Sequence, residues 1–291
     1  MSVDTWTSFG LLGLVLTATA AYLLRLAWLG RARASRLDKD GGSALLSVPV
    51  MELGYWLLRP IVSLLDRLGA TPNGVTVFGL FPAALAGLFA VQGWFALAGL
   101  FGMVGAFCDA LDGLLAQRQG GSTRGGQALD SILDRVTESL LFVGVAVYFR
   151  EQPWILGLCL MALSGAYLTS YVSAKAEAMQ VSIPRGVMRR AERAVYLLTA
   201  AGFLPLWALW IGPEGSFALR HLPLVTALGL IALGANLSAF VRIRALVRVL
   251  GPASAEVTPE PLRNGRPATQ EFPPLSAPAP RAATADGRGV V

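Results

Sequence analysis

Charge is what this sequence lacks most. Of its 291 residues only 14% are Asp, Glu, Lys or Arg, while 54% are hydrophobic and the mean hydropathy is +0.57. A soluble domain carries about 25% charged residues, so a water-soluble globule of this size would struggle to cover its surface. The shortage speaks against a soluble enzyme and for an integral membrane protein. Histidine is nearly missing as well: His221 stands alone, which removes any mechanism built on a histidine pair. Cysteine is as scarce, and both Cys108 and Cys159 lie within apolar runs. Neither a disulfide framework nor a cysteine metal site is supported.

What the chain has instead is long apolar runs. A helix needs about 20 apolar residues to cross a hydrocarbon core of about 30 Å, and seven stretches qualify: 8–29, 74–93, 94–116, 127–149, 153–174, 194–212 and 222–247. The first is preceded by Asp4 and no base, so it lacks the basic n-region of a cleaved signal peptide. Its bases (Arg31, Arg33, Arg36, Lys39) follow it, as for a retained anchor whose N-terminus lies outside the cytoplasm. Segment 48–68 is interrupted by Glu52, Arg59 and Asp66, and reads as an interfacial helix bent at Pro60. Thr71 is placed to cap the next helix, with Pro72 at its first position. The expected organisation is an anchor over 1–30, a cytoplasmic linker over 31–47, a catalytic domain over 48–248 and a tail over 249–291. The tail holds eight of the 17 prolines and is expected to be disordered.

The net charge of +6 is explained by topology. With residues 25–67, the 117–126 and 175–193 loops and everything after 241 on one side, that side receives 22 of the 24 Lys and Arg residues, counting Arg135 with it. Only Arg150 and Arg220 remain opposite. The rich side is cytoplasmic by the positive-inside rule, and nucleic acid is not needed as a partner. The expectation is a multi-pass protein of the cell inner membrane type, with its active site and C-terminus in the cytoplasm.

Four acids then stand out. Asp109 and Asp112 are spaced i, i+3 and Asp130 and Asp134 i, i+4, so each pair lies on one helix face. They flank one short loop at the cytoplasmic ends of two successive antiparallel spans. Uncompensated carboxylates at membrane depth cost several kcal/mol, and Arg118, Arg124 and Arg135 are too few to pair with all four. Oxygen-only ligands suit Mg²⁺ or Mn²⁺, and two such ions among four shared carboxylates make a phosphoryl-transfer site. Gly113, Ala116, Gly125 and Gly126 leave room for close approach, whereas ordinary turn chemistry alone could account for Gly120 and Gly121.

These residues resemble the CDP-alcohol phosphotransferase family, whose motif is D-x-x-D-G-x-x-A-R, eight residues, then G-x-x-x-D-x-x-x-D. Here Asp109, Asp112, Gly113, Ala116, Gly126, Asp130 and Asp134 match at every spacing; Gln117 stands where the family has arginine. Arg118, one place on, points about 100° away on an ideal helix, so the helix end would have to fray for it to substitute. Thr71-Pro72-Asn73 is similar to the family's entry to its first span. The resemblance, over about 48–248, implies an all-α integral membrane protein: a six-helix transmembrane core plus one extra N-terminal transmembrane helix and a juxtamembrane interfacial helix. It implies metal-dependent transfer from a CDP-linked lipid donor, usually CDP-diacylglycerol, to a polar alcohol with release of CMP. Asp109, Asp112 and Asp130 become metal ligands, and Asp134 a further ligand or the general base. Pro72, Asn73, Gly113, Ala116, Gln117, Arg118 and Gly126 fall on the nucleotide side. A homodimer is expected from the family.

A second basic group, Lys175, Arg185, Arg189, Arg190 and Arg193, shares the cytoplasmic face. It reads either as anchoring to anionic headgroups or as a pocket for a phosphorylated acceptor. In the resemblance, Tyr171–Glu177 and Arg189–Arg193 are similar to the YVKARAE and ERAER segments of the branch that makes phosphatidylinositol phosphate, with Lys175, Arg190 and Arg193 on the acceptor phosphate. Ser173 replaces that branch's lysine, so a glycerol 3-phosphate type acceptor stays open beside inositol phosphate. Three rivals also stand: an aspartate-rich intramembrane prenyltransferase, a cation transporter, and a family member that binds nucleotide without turnover.

Overall fold

The computed structural model describes residues 2–29, 48–184, 186 and 188–251. The basic cluster at 31–39, Arg185 and the tail beyond 251 lie outside them. The described chain is helical: α1 (Val3–Leu29), α2 (Val48–Arg67), α3 (Pro72–Val91), α4 (Phe95–Arg118), α5 (Arg124–Tyr148), α6 (Pro153–Ala178), α7 (Arg190–Ile211), the single turn α8 (Phe217–Arg220) and α9 (Leu222–Val249). Each of the seven apolar runs is a helix. Six helices are long and apolar enough to cross a membrane: α1, α3, α4, α6, α7 and α9. The 25-residue α5 is long enough but falls short in apolarity, because it carries Asp130, Asp134, Arg135 and Glu138. A helix bearing that many charges belongs inside a bundle.

Local chemistry sets the helix starts nearest the aspartates. Thr71 Oγ1 accepts the Gly74 N–H at 3.2 Å with Pro72 beginning α3, and Thr123 Oγ1 accepts the Gly126 N–H at 3.0 Å at the start of α5. Each hydroxyl satisfies a donor that the first helical turn leaves without an intrahelical partner. Between α4 and α5, Gly120 and Gly121 have φ of 97° and 118°, a backbone region nearly closed to other residues. A Cβ on either would meet nothing within 4 Å, so conformation rather than crowding calls for glycine there.

Packing follows an order that the chain does not. Helices α4 and α5, consecutive in sequence, touch each other far less than either touches α3, while α4 also packs on α7, and α6 on α9. Helix α3 is therefore the wedge that sets the gap across which the two aspartate pairs face. Its seam with α5 depends on Gly87 and Gly144: a Cβ on Gly87 would lie 2.7 Å from the Leu140 carbonyl oxygen, and one on Gly144 would collide with the Gly87 carbonyl. Gly144→Ala is expected to destabilise the bundle by about 1–3 kcal/mol, the usual cost of overpacking. A thermal melt in detergent checks this, and an unchanged midpoint would mean the seam is not tight.

Helix α2 is not among the helices apolar enough to cross a membrane. It runs continuously through Pro60 and buries Leu58 and Val62 against Val75, Cys108, Leu111 and Leu115, while Arg59 and Ile61 stay exposed. Helix α1 has only a narrow buried stripe: Asp4, Ser8, Leu11 and Tyr22, all on one helical face. Ser8 Oγ donates to the Gly202 carbonyl of α7 at 2.7 Å, and Tyr22 Oη donates to Glu52 of α2 at 2.7 Å. Asp4 Oδ1 accepts the Leu97 N–H at 3.1 Å. It thus serves the first turn of α4, whose N-cap residue Trp94 makes no side-chain cap. The extra helix is a fitted part of the bundle.

Candidate active site

The four motif aspartates meet near the ends of α4 and α5 that flank Gly120 and Gly121. Asp109, Asp112 and Asp130 each present a carboxylate oxygen, all within 4.8 Å of one another. Asp112 is buried, and Thr76 Oγ1 of α3 donates to its Oδ2 at 2.6 Å, which fixes the direction of the second oxygen. Asp134, one turn beyond Asp130, is engaged differently: Arg190 at the start of α7 lies 2.6 Å from its Oδ1 and 2.9 Å from Asp109 Oδ1. The arrangement is a three-carboxylate cluster, with the fourth acid tethered by a cation at its edge. Converging hard oxygen donors fit Mg²⁺ or Mn²⁺, and without a cation their mutual repulsion would work against this geometry.

Two cavities flank the cluster. One, of about 400 Å³, is lined by Pro72, Asn73, Gly113, Ala116, Gln117 and Gly126 together with Asp112 and Asp130. A Cβ on Gly126 would lie 2.8 Å from Asn73 Oδ1, so glycine there lets the asparagine reach across from α3. The other, of about 330 Å³, is lined by Asp130, Asp134 and a group of arginines: Arg135, Arg189, Arg190, Arg193 and Arg242. Among the described residues Asp130 is the one shared by the two linings.

A model of the CDP-alcohol phosphatidyltransferase family matches residues 70–245, which is α3 through most of α9. The chain belongs to that family.

Among the relatives of this phosphatidyltransferase are two bacterial phosphatidylinositol phosphate synthases. That of Cutibacterium acnes is 34% identical over 185 residues, covering 59% of this chain and 87% of its own. That of Mycobacterium tuberculosis is 36% identical over 153 residues, covering 50% and 69%. The crystal structure of the M. tuberculosis enzyme with CDP-DAG bound superposes with a TM-score of 0.56 at 26% identity, covering 65% of this chain and 92% of that one. The same enzyme in complex with manganese and citrate gives 0.56, covering 64% and 87%. The chain is accordingly a membrane-embedded transferase of phospholipid synthesis.

Two residues picked out by the sequence, Arg118 and Lys175, do not sit where it suggested, and a third, Arg193, lines the arginine cavity with its donors already engaged. Arg118 lines neither cavity. Helix α4 stays helical through Arg118 itself, so there is no fraying; the 100° offset turns its guanidinium to α2, with Nε 2.8 Å from Asp66 and NH1 donating to Ser63 at 2.7 Å. Arg193 is 2% exposed and its donors are taken: Nε and NH2 bind the two Glu138 oxygens at 2.6 and 3.0 Å, and NH1 reaches the Met188 carbonyl at 3.3 Å. It forms part of the cavity wall but has little left to offer a phosphate. Lys175 is exposed in the last turn of α6 and lines neither cavity.

Other residues were missed. Thr76 follows Pro72 by four, on the same helix face, and Glu138 follows Asp134 by four; both spacings were readable. Arg242 was counted only as a topology charge. It lies inside an apolar helix, itself a sign of function, and donates to the Thr169 carbonyl at 3.1 Å and to Ser173 Oγ at 2.5 Å.

Proposed function

We propose that this chain transfers a phosphatidyl group from CDP-diacylglycerol to a phosphorylated polar alcohol of the inositol phosphate type, releasing CMP. The observation that carries this reading is Asp130, shared by a cavity with small-residue walls and a cavity with arginine walls. The first suits a flat nucleotide diphosphate and the second an anionic acceptor, so the two reactants would meet over the carboxylates. Asp109, Asp112 and Asp130 would hold Mg²⁺ or Mn²⁺, two ions with Asp134 as a further contributor. Bound cations supply charge neutralisation for the diphosphate and for both the attacking and leaving oxygens.

The chain's own groups do the rest. The acceptor hydroxyl oxygen bonds to the lipid-linked phosphorus, the bond from that phosphorus to the CMP oxygen breaks, and CMP leaves with the electron pair. Asp134 takes the hydroxyl proton, oriented for it by Arg190. On the acceptor side Arg189, Arg190 and Arg242 present cations. Arg242 hydrogen-bonds Ser173, the position where the phosphatidylinositol phosphate branch has lysine; a cation from α9 thus stands beside the place of the one lost from α6. The relatives' names favour inositol phosphate over glycerol 3-phosphate as acceptor. The distribution of bases supports a cytoplasmic active site and C-terminus, with the start of α1 outside.

The test is CMP release from CDP-diacylglycerol by purified protein with Mg²⁺ or Mn²⁺ across a panel of inositol phosphate, glycerol 3-phosphate and inositol. Inositol phosphate is expected to be preferred. Arg242→Gln is expected to raise KM for the phosphorylated acceptor about tenfold, one charge-assisted hydrogen bond's worth, with a smaller change in kcat. No CMP with any acceptor would overturn the proposal.

A further inference from the structure

The opposite end of the bundle holds a cavity that the transfer reaction does not use. It measures about 460 Å³ and lies between the start of α1, the α3–α4 turn, the ends of α5 and α7, and the approach to α9. Phe95 on its wall and Asp109 belong to the same helix, and the rise between them is about 20 Å. The cavity is therefore remote from the aspartates.

Its polar groups are mostly committed, with one exception. Asp4 accepts the Leu97 N–H. His221 Nδ1 lies 2.8 Å from the Phe217 carbonyl oxygen, an acceptor that requires a proton on that nitrogen. Nε2 is then the acceptor for the Tyr148 hydroxyl at 3.1 Å. Burial pulls the His221 pKa down, and the Arg220 charge beside it acts in the same direction, so the ring is neutral. Arg220 is the exception: its Nε is buried and has no hydrogen-bond partner, and no carboxylate among the described residues pairs with it. A permanently charged donor left in this condition favours any anion that can reach it.

The depth of the cavity indicates which anion. Five of the seven tryptophans, Trp6, Trp94, Trp154, Trp207 and Trp210, gather at this end of the bundle, and all but Trp207 are exposed. Such a girdle marks the headgroup level of a bilayer. Leu209 of α7, 53% exposed, continues the cavity wall as apolar surface, with Leu204 buried behind it. We propose that this cavity binds the phosphodiester headgroup of a phospholipid from the leaflet at this end, with Arg220 on the phosphate oxygens and an acyl chain along α7. One wall comes from α1, outside the 70–245 segment matched to the family; the site is thus tied to this chain's additional helix.

The test is native mass spectrometry and thermal melting of the full chain, wild type against Arg220→Gln, in detergent titrated with phosphatidylglycerol. Both proteins keep the aspartate site, so the difference between them reports this cavity. Wild type is expected to retain one phosphatidylglycerol about tenfold more tightly and to gain melting temperature from it, while CMP release from CDP-diacylglycerol without added phosphatidylglycerol stays equal in the two. Arg220→Lys, which keeps the charge but loses Nε, should fall between them and guards against misfolding of the glutamine variant. Equal lipid retention in wild type and Arg220→Gln would overturn the proposal. So would protection of wild type by inorganic phosphate with none from the lipid, which would identify a free-anion site.

Discussion

Asp130→Asn is expected to reduce CMP release from CDP-diacylglycerol by roughly a thousandfold or more, since a lost metal ligand removes several kcal/mol of transition-state stabilisation and each 1.36 kcal/mol is a factor of ten. The amide has nearly the shape of the carboxylate, so the fold should survive and the melting temperature should stay close to wild type. What changes is charge: one of three oxygens that converge within 4.8 Å would become a neutral, weaker ligand. The second readout is Mn²⁺ affinity, which should fall with activity. Asp134→Asn separates the roles, because a residue acting chiefly as proton acceptor should lose turnover while retaining most Mn²⁺ affinity. Chelation of the metal should reproduce the Asp130→Asn loss in wild type and be reversed by adding Mn²⁺ back. Wild-type activity in Asp130→Asn would remove the basis of the mechanism.

Arg193→Ala should be the most damaging change to the fold. It leaves Glu138, itself only 13% exposed at its side chain, as a buried carboxylate stripped of two hydrogen bonds, and breaking such a pair costs about 3–5 kcal/mol. The pair joins α7 to α5, so its loss should loosen the wall that holds Arg190 against Asp109 and Asp134. Arg193→Lys should rescue only part of the stability, because an ammonium cannot bind both carboxylate oxygens in the same planar fork. The combined Glu138→Leu and Arg193→Met replacement should recover much of the melting temperature, since well-packed apolar residues can stand in for a buried ion pair. Thermal melts of the variants in detergent decide the matter. If Arg193→Ala melts like wild type, the pair contributes nothing to the fold.

How far the site was legible depends on the reach of the interaction concerned. The aspartate spacings were legible because i, i+3 and i, i+4 are properties of one helix, whatever surrounds it. So were the Thr71 cap and the glycine turn, which involve neighbours in sequence. Arg118 shows where this stops: its offset from Gln117 was computable, but its binding to Asp66 and Ser63 required knowing that α2 lies beside that face of α4. Arg193 and Arg242 show the same limit from the other direction. One looked available and is consumed by Glu138; the other looked like a topology charge and reaches Ser173 across 69 residues of chain.

By itself the sequence determined that the chain lives in a membrane, where its helices run, and that four acids cluster at one end of two of them. Low charge, apolar length and helical periodicity are local quantities, and they need no partner to be read. Packing in three dimensions settles which base meets which acid, that α3 rather than direct contact spaces α4 from α5, and that Asp4 of the added helix serves the first turn of α4. The rotation of each helix about its own axis is chosen by the packing of small residues such as Gly87 and Gly144 against distant backbone. No periodicity within a single helix encodes that choice.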